Sequence, residues 1–117
     1  MLLFSVRNMS ISHYYVASMM GVDMDSEQSI SFPLGRVMAT PGALNLMDQA
    51  SVGVLALLSR HQSGDWGDVD GEDWQANQEA LEHGWRLLSS YAVGEGKVWI
   101  ITEADRSATT LLLQEEY

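Results

Sequence analysis

Four residues in the second half of the chain have side chains suited to proton transfer and anion binding: His61, Tyr91, Arg106 and Thr109. In a small ribonuclease a base takes the 2′-hydroxyl proton while a cation stabilises the charge that develops on phosphate. Here His61 or Tyr91 would move the proton, and Arg106 and Thr109 would contact the anion. A second chemistry is spread across residues 60–86. Seven acids (Asp65, Asp68, Asp70, Glu72, Asp73, Glu79 and Glu82) stand between Arg60 and Arg86 with no Lys or Arg among them. Carboxylates spaced along a loop and a helix can imitate a phosphate backbone and meet a basic protein surface. Asp65, Trp66, Asp68, Asp70, Glu72 and Asp73 are the binding candidates. Trp66 is either the hot-spot anchor of that surface or, the favoured reading, a ring between glycines that folds back to plug the core under its loop.

Other chemistries fit the same residues less well. Asp68-Val69-Asp70-Gly71 copies the middle of a calcium loop, but that register puts Trp66 at the first ligand position. It also puts Asn77 at the twelfth, where a bidentate Glu is needed. A capped loop-to-helix junction is the better reading. His61, Asp65 and Asp68 are donors that suit several divalent ions, but neither a metal nor a cofactor is expected. His83 reads as a dipole-favoured residue at a helix end, and His61 as a helix-terminal histidine bonding to the Gly64-Asp65 loop.

Composition narrows the classes further. With 117 residues, the chain suits one core, and 46% apolar residues suit a folded protein. With no cysteine, disulfides, thiolate zinc sites and cysteine nucleophiles are excluded. A net charge of −10 with six cations in all leaves little to release counterions, so direct nucleic-acid binding is not expected. This also weighs against the ribonuclease, which needs a basic groove. The start of the chain carries its charge after its apolar residues, the reverse of a signal peptide. The apolar run 52–58 is far below the roughly 20 residues that span a bilayer. A cytoplasmic protein with no membrane association is the expectation.

The elements that must position these groups follow from local signals. Residues 1–30 are poorly specified, expected to be partly disordered or to dock only in an oligomer, which keeps self-association open. A single α+β domain over 31–117 follows. Residues 35–39 suit a short strand, with Pro33 confining that end to an edge. Thr40-Pro41 starts a helix over 41–49. Ser51 can cap a second helix over 51–61, inside which Gly53 signals close packing or a break. Asp70 caps a third helix over 71–83, ended by Gly84. In that helix Trp74 and Leu81 are expected to face the core. Strands over 85–92, 97–103 and 107–113 follow, the first pair joined by the double-glycine turn Val93-Gly94-Glu95-Gly96. The fold class is α+β: two to three helices, then a three- or four-stranded antiparallel sheet with the helices on one face. In the last turn Asp105 would bond to the backbone and Arg106 would pair with Glu103 or a helix acid.

Three segments, 34–44, 60–67 and 99–110, resemble a family of small proteins encoded on bacterial plasmids and integrated elements. Its members are often labelled plasmid-related proteins, and sometimes type I restriction subunits. The resemblance covers about residues 32–117. It implies a mobile-element context and little chemistry. A methyltransferase by itself is not expected, since no glycine-rich nucleotide loop follows a strand here and one small domain lacks the room. The function expected is a small acidic accessory or interaction protein of a mobile element, inhibiting a host nucleic-acid-binding or defence protein. The alternative is a metal-independent ribonuclease of the toxin type.

Overall fold

Thr40 and Pro41 begin the first helix as their side chains require. The Thr40 hydroxyl accepts the Ala43 amide at 3.1 Å, and Pro41 occupies the first turn, where its missing N–H has no intrahelical acceptor to lose. A computed structural model of the chain describes residues 2–3 and 32–117. Its elements run β1 (Leu2–Leu3), β2 (Arg36–Ala39), α1 (Pro41–Gln49), α2 (Val54–Gln62), α3 (Gly71–His83), β3 (Leu87–Val93), β4 (Gly96–Thr102) and β5 (Ala108–Leu112). A short 3-10 turn, Gln114–Glu116, follows. The expectation for residues 1–30 lies outside the described residues, β1 excepted.

The α+β class holds, but the sheet is mixed rather than antiparallel. Its order is β1-β2-β5-β4-β3, with β2 parallel to β5 and the other neighbours antiparallel. Three helices and two strands separate β2 from β5, so the chain has room to return in the same direction. Hairpin signals report only pairings between consecutive strands and are silent on this one. Nor is β2 confined to an edge. Pro33 precedes the strand, so its missing amide costs the ladder nothing, and β1 pairs with Met38 and Ala39 on the far side.

One face of the sheet carries the core. Val37 and Ala39 on β2, Leu87, Tyr91 and Val93 on β3, Val98 and Ile100 on β4, and Leu111 on β5 are all buried. Ala43 and Met47 of α1 and Leu57 and Leu58 of α2 complete that cluster. The second helix starts later than Ser51. Ser51 has φ +57 and cannot cap, while Gly53 is the N-cap and a Cβ there would meet nothing within 4 Å. Gly53 therefore marks a break between helices and not a close contact.

The third helix has the expected ends. The Asp70 carboxylate accepts the Asp73 amide at 2.8 Å, and Gly84 closes the helix in the left-handed conformation. Its seating differs from expectation at Trp74, which is 48% exposed. Asn77 and Ala80 are its buried residues, and Leu81, half-buried, packs against the core as expected. The helix meets β3 through the Asn77 amide and the Ala80 methyl, and Trp74, a turn before Asn77, is left to solvent. It lies along the outer edge of β3, not over the core face.

Among the described residues no single helix is long and apolar enough to cross a membrane.

Candidate functional site

Residues 60–70 form a strap across the edge of the sheet. The Arg60 guanidinium holds the Asp65 carboxylate at 2.6 and 3.2 Å and sits 4.4 Å above the Tyr91 ring. That bidentate pair holds the Asp65 carboxyl below its usual range, with help from the Gly67 amide. Beyond Asp65 the backbone docks onto β3: the Ser90 amide donates to Trp66 O at 3.0 Å, and the Asp68 amide donates to Ser90 O at 2.6 Å. Gly67 lies at the point of closest approach. It has φ +75, and a Cβ there would stand 2.1 Å from Ser90 O. A side chain would push the strap off the strand.

Trp66 belongs to the core, the structural outcome favoured for it, which removes it from the exposed binding set. It is 1% exposed, stacks on Phe32 at 6.4 Å and meets His61 edge-on at 5.7 Å. Its indole N–H donates to Gln78 Oε1 at 3.0 Å, so the polar end is satisfied as well. The strap thus closes the edge of the sheet with its backbone and plugs the core with one ring.

The four residues of the ribonuclease alternative do not converge on an open site. His61 and Thr109 are wholly buried, and Tyr91 is 1% exposed. The Tyr91 hydroxyl donates to Asp65 O at 2.7 Å, and burial raises its pKa. His61 does not reach the Gly64-Asp65 loop with its ring. Its Nδ1 is 2.6 Å from Ser89 Oγ, and its Nε2 is 2.9 Å from Thr102 Oγ1. Thr102 in turn meets Thr109 at 2.8 Å, and Thr109 donates to Leu34 O at 2.7 Å. That last bond fixes the direction of all the others. Thr109 has spent its proton, so Thr102 donates to Thr109 and accepts from Nε2–H, and Ser89 donates to Nδ1. Burial, and secondarily the charge of Arg106, push the His61 pKa down to about 3. The histidine is a neutral link in a closed polar chain.

Arg106 pairs with no carboxylate among the described residues, contrary to expectation. It has φ +60, and its guanidinium donates to Trp85 O at 2.6 Å, Ala80 O at 3.2 Å, and the carbonyls of Glu103 and Ala104. It ties the C-terminal end of α3 to the β4–β5 turn, adding a donor at Ala80 O, which already accepts the Gly84 and Trp85 amides. Glu103 lies near Arg86 instead, at 3.7 Å. Asp105 accepts the Ser107 amide at 3.0 Å, the turn bond expected of it.

The acids divide by employment. Asp65 and Asp70 hold the strap and the helix start. Asp68, Glu72 and Asp73 are exposed, as are Glu79 and Glu82 further along α3. Among these Asp68 has one cation nearby, Lys97 at 4.0 Å, and the others have none among the described residues. Of the tryptophans between Arg60 and Arg86, Trp74 and Trp85 are the exposed ones, and Trp74 is the one set among the acids of α3. No three His, Asp or Glu side chains cluster to hold a metal ion among the described residues, and both ring nitrogens of His61 are already engaged.

A cleft of about 340 Å³ that sequence reasoning missed opens on the other face of the sheet. Leu88, Trp99 and Ile101 line it, with Asp73 and Ala76 of α3 on one side and Arg86 and Tyr117 also in its wall. A second groove of about 240 Å³ shares Asp73, Leu88 and Trp99 and reaches Asp68, Asp70 and Lys97. The alternation along β4 carried the signal: with Val98 and Ile100 turned to the core, Trp99 and Ile101 must point to the opposite face.

Comparison with family models, curated proteins and solved structures finds no match for this chain.

Proposed function

We propose that the chain is a small acidic interaction protein that binds a basic protein surface through the exposed acids of the strap and α3. The observation that carries this reading is that all seven acids between Arg60 and Arg86 are exposed, beside a half-exposed Trp74. Such a surface favours association with a cationic partner by steering and by excluding anionic competitors. Trp74 takes the anchoring part first given to Trp66, because an aromatic ring among charges is the usual centre of a binding hot spot. In the mobile-element setting suggested by the resemblance of segments 34–44, 60–67 and 99–110, the partner is a host nucleic-acid-binding or defence protein. Its basic face is covered by the carboxylates, and the chain itself binds no nucleic acid.

The test is capture of a basic host protein by the tagged chain, with elution by added salt. Trp74→Ala should weaken that complex by at least about 2 kcal/mol while leaving folding stability within about 0.5 kcal/mol. Binding that is indifferent to salt and to Trp74 would reject the reading. RNA cleavage by the purified chain, abolished by Arg106→Ala, would favour the ribonuclease instead. The burial of His61, Tyr91 and Thr109 offers that reaction no accessible proton-transfer group.

A further inference from the structure

We infer that the cleft between α3 and β4 receives a lysine or arginine side chain of the basic partner, an inference that rests on the interaction reading above. The cleft, about 340 Å³, is at the small end of the range of about 300–1,000 Å³ typical of ligand sites. That volume suits one long side chain and the backbone bearing it. Leu88 and Ile101 offer an apolar bed for an aliphatic stem. Trp99, half-buried in the cleft wall and edge-on to Tyr117 at 5.7 Å, offers an indole ring to the charged end.

The charges in the walls favour a cation over an anion. Both resident cations already have acidic company. Arg86 lies 3.7 Å from Glu103 and donates to the Tyr117 hydroxyl at 2.8 Å, and Lys97 lies 4.0 Å from Asp68. Once these pairs are set aside, Asp70 and Asp73 remain as uncompensated carboxylates in the cleft and its adjoining groove. Asp70 is occupied in part by capping α3, which leaves Asp73 as the counter-charge that lines both spaces. Asn77 also lines the cleft, but its amide is committed to the backbone of Leu88 and is not free to read a ligand. An incoming guanidinium or ammonium would lie between the Asp73 carboxylate and the Trp99 ring.

The experiment is an NMR titration of the full chain with N-acetyl-arginine amide, with the neutral isostere N-acetyl-citrulline amide as control. The Trp99 indole N–H and the Leu88 and Ile101 amides should shift saturably with the arginine probe. The citrulline probe should bind roughly fivefold or more weakly, as expected for loss of a cation–π contact and a carboxylate partner. Asp73→Asn, which keeps the amide capped by Asp70, should reduce arginine affinity by a similar factor at low salt. Trp99→Phe should also weaken it, and its amide spectrum reports whether the fold is intact. Equal response to both probes, or an unchanged affinity in Asp73→Asn, would overturn the inference. So would movement of the same resonances with protein concentration alone, which would place a second copy in the cleft. A basic protein captured equally well by wild type and Asp73→Asn would keep the acidic surface as the interaction face and reject the cleft alone.

Discussion

The Asn77 side chain binds the backbone of Leu88 in both directions, donating to Leu88 O at 2.7 Å and accepting Leu88 N–H at 3.0 Å. One amide thus does for the edge of β3 what a neighbouring strand would do. Two residues on, the strap does the same for Ser90 with its own backbone. Exposed strand edges invite pairing with other chains, and this sheet closes its β3 edge at these two points.

Replacing Asn77 tests that closure. Asn77→Ala leaves the Leu88 amide and carbonyl without partners and should destabilise the fold by about 2–4 kcal/mol, from two lost bonds to half-buried groups. The shift of the urea midpoint measures it. A change below about 0.5 kcal/mol would mean that water replaces the side chain at no cost.

Truncation of Trp66 should be among the most damaging single changes in the chain. Trp66→Ala removes a buried ring packed on Phe32 and His61 and should cost about 3–5 kcal/mol. Trp66→Phe, which keeps an apolar ring but loses the bond to Gln78, should cost less. A denaturant melt of both variants decides it, and an unchanged midpoint for Trp66→Ala would contradict the packing described.

His61 should make the protein less stable in mild acid. Its folded pKa is lowered from 6.5 to about 3, so between those values the unfolded chain binds a proton that the folded chain refuses. Stability attributable to this residue is full above pH 6.5 and falls as pH drops toward 3, by up to about 1.4 kcal/mol per pH unit. The upper part of that window lies above the range in which carboxylates titrate. Comparing the pH dependence of wild type and His61→Gln from pH 7 to 5 isolates the effect. In the folded protein, nitrogen NMR should show Nε2 protonated and Nδ1 bare, and a ring that titrates near pH 6.5 would refute the buried chain.

Two nearby glycines, Gly67 and Gly71, should respond oppositely to alanine. Gly67→Ala forces a Cβ against Ser90 O in a left-handed backbone and should cost roughly 2–4 kcal/mol. Gly71, at the start of α3, has nothing within 4 Å of an added Cβ, and Gly71→Ala should stabilise by about 0.5–1 kcal/mol. Thermal melts of the two variants should therefore move in opposite directions.

What the sequence determined alone is the local punctuation. Thr40-Pro41, Asp70 with Gly84, and the Gly94-Glu95 turn each act on backbone groups only a few residues away, so their side chains suffice to place α1, α3 and the β3–β4 hairpin. The acidic character of residues 65–82 was equally plain, since charge needs no partner to be read. Tertiary structure alone decided everything that depends on distant partners. The parallel seat of β2 beside β5 has no local cue, because nothing within either strand specifies a neighbour some 70 residues away. His61 reads as a catalyst or a loop contact until Ser89 and Thr102, 28 and 41 residues on, take both its nitrogens. The seats of Trp66 and Trp74 have the same origin. A Trp between glycines can plug a core or stand exposed, and a Trp on a helical stripe looks buried, but burial depends on which surface the chain packs against. Here a loop crosses the sheet edge and sends its ring inward, while the helix seats Asn77, Ala80 and Leu81 and leaves Trp74 to solvent.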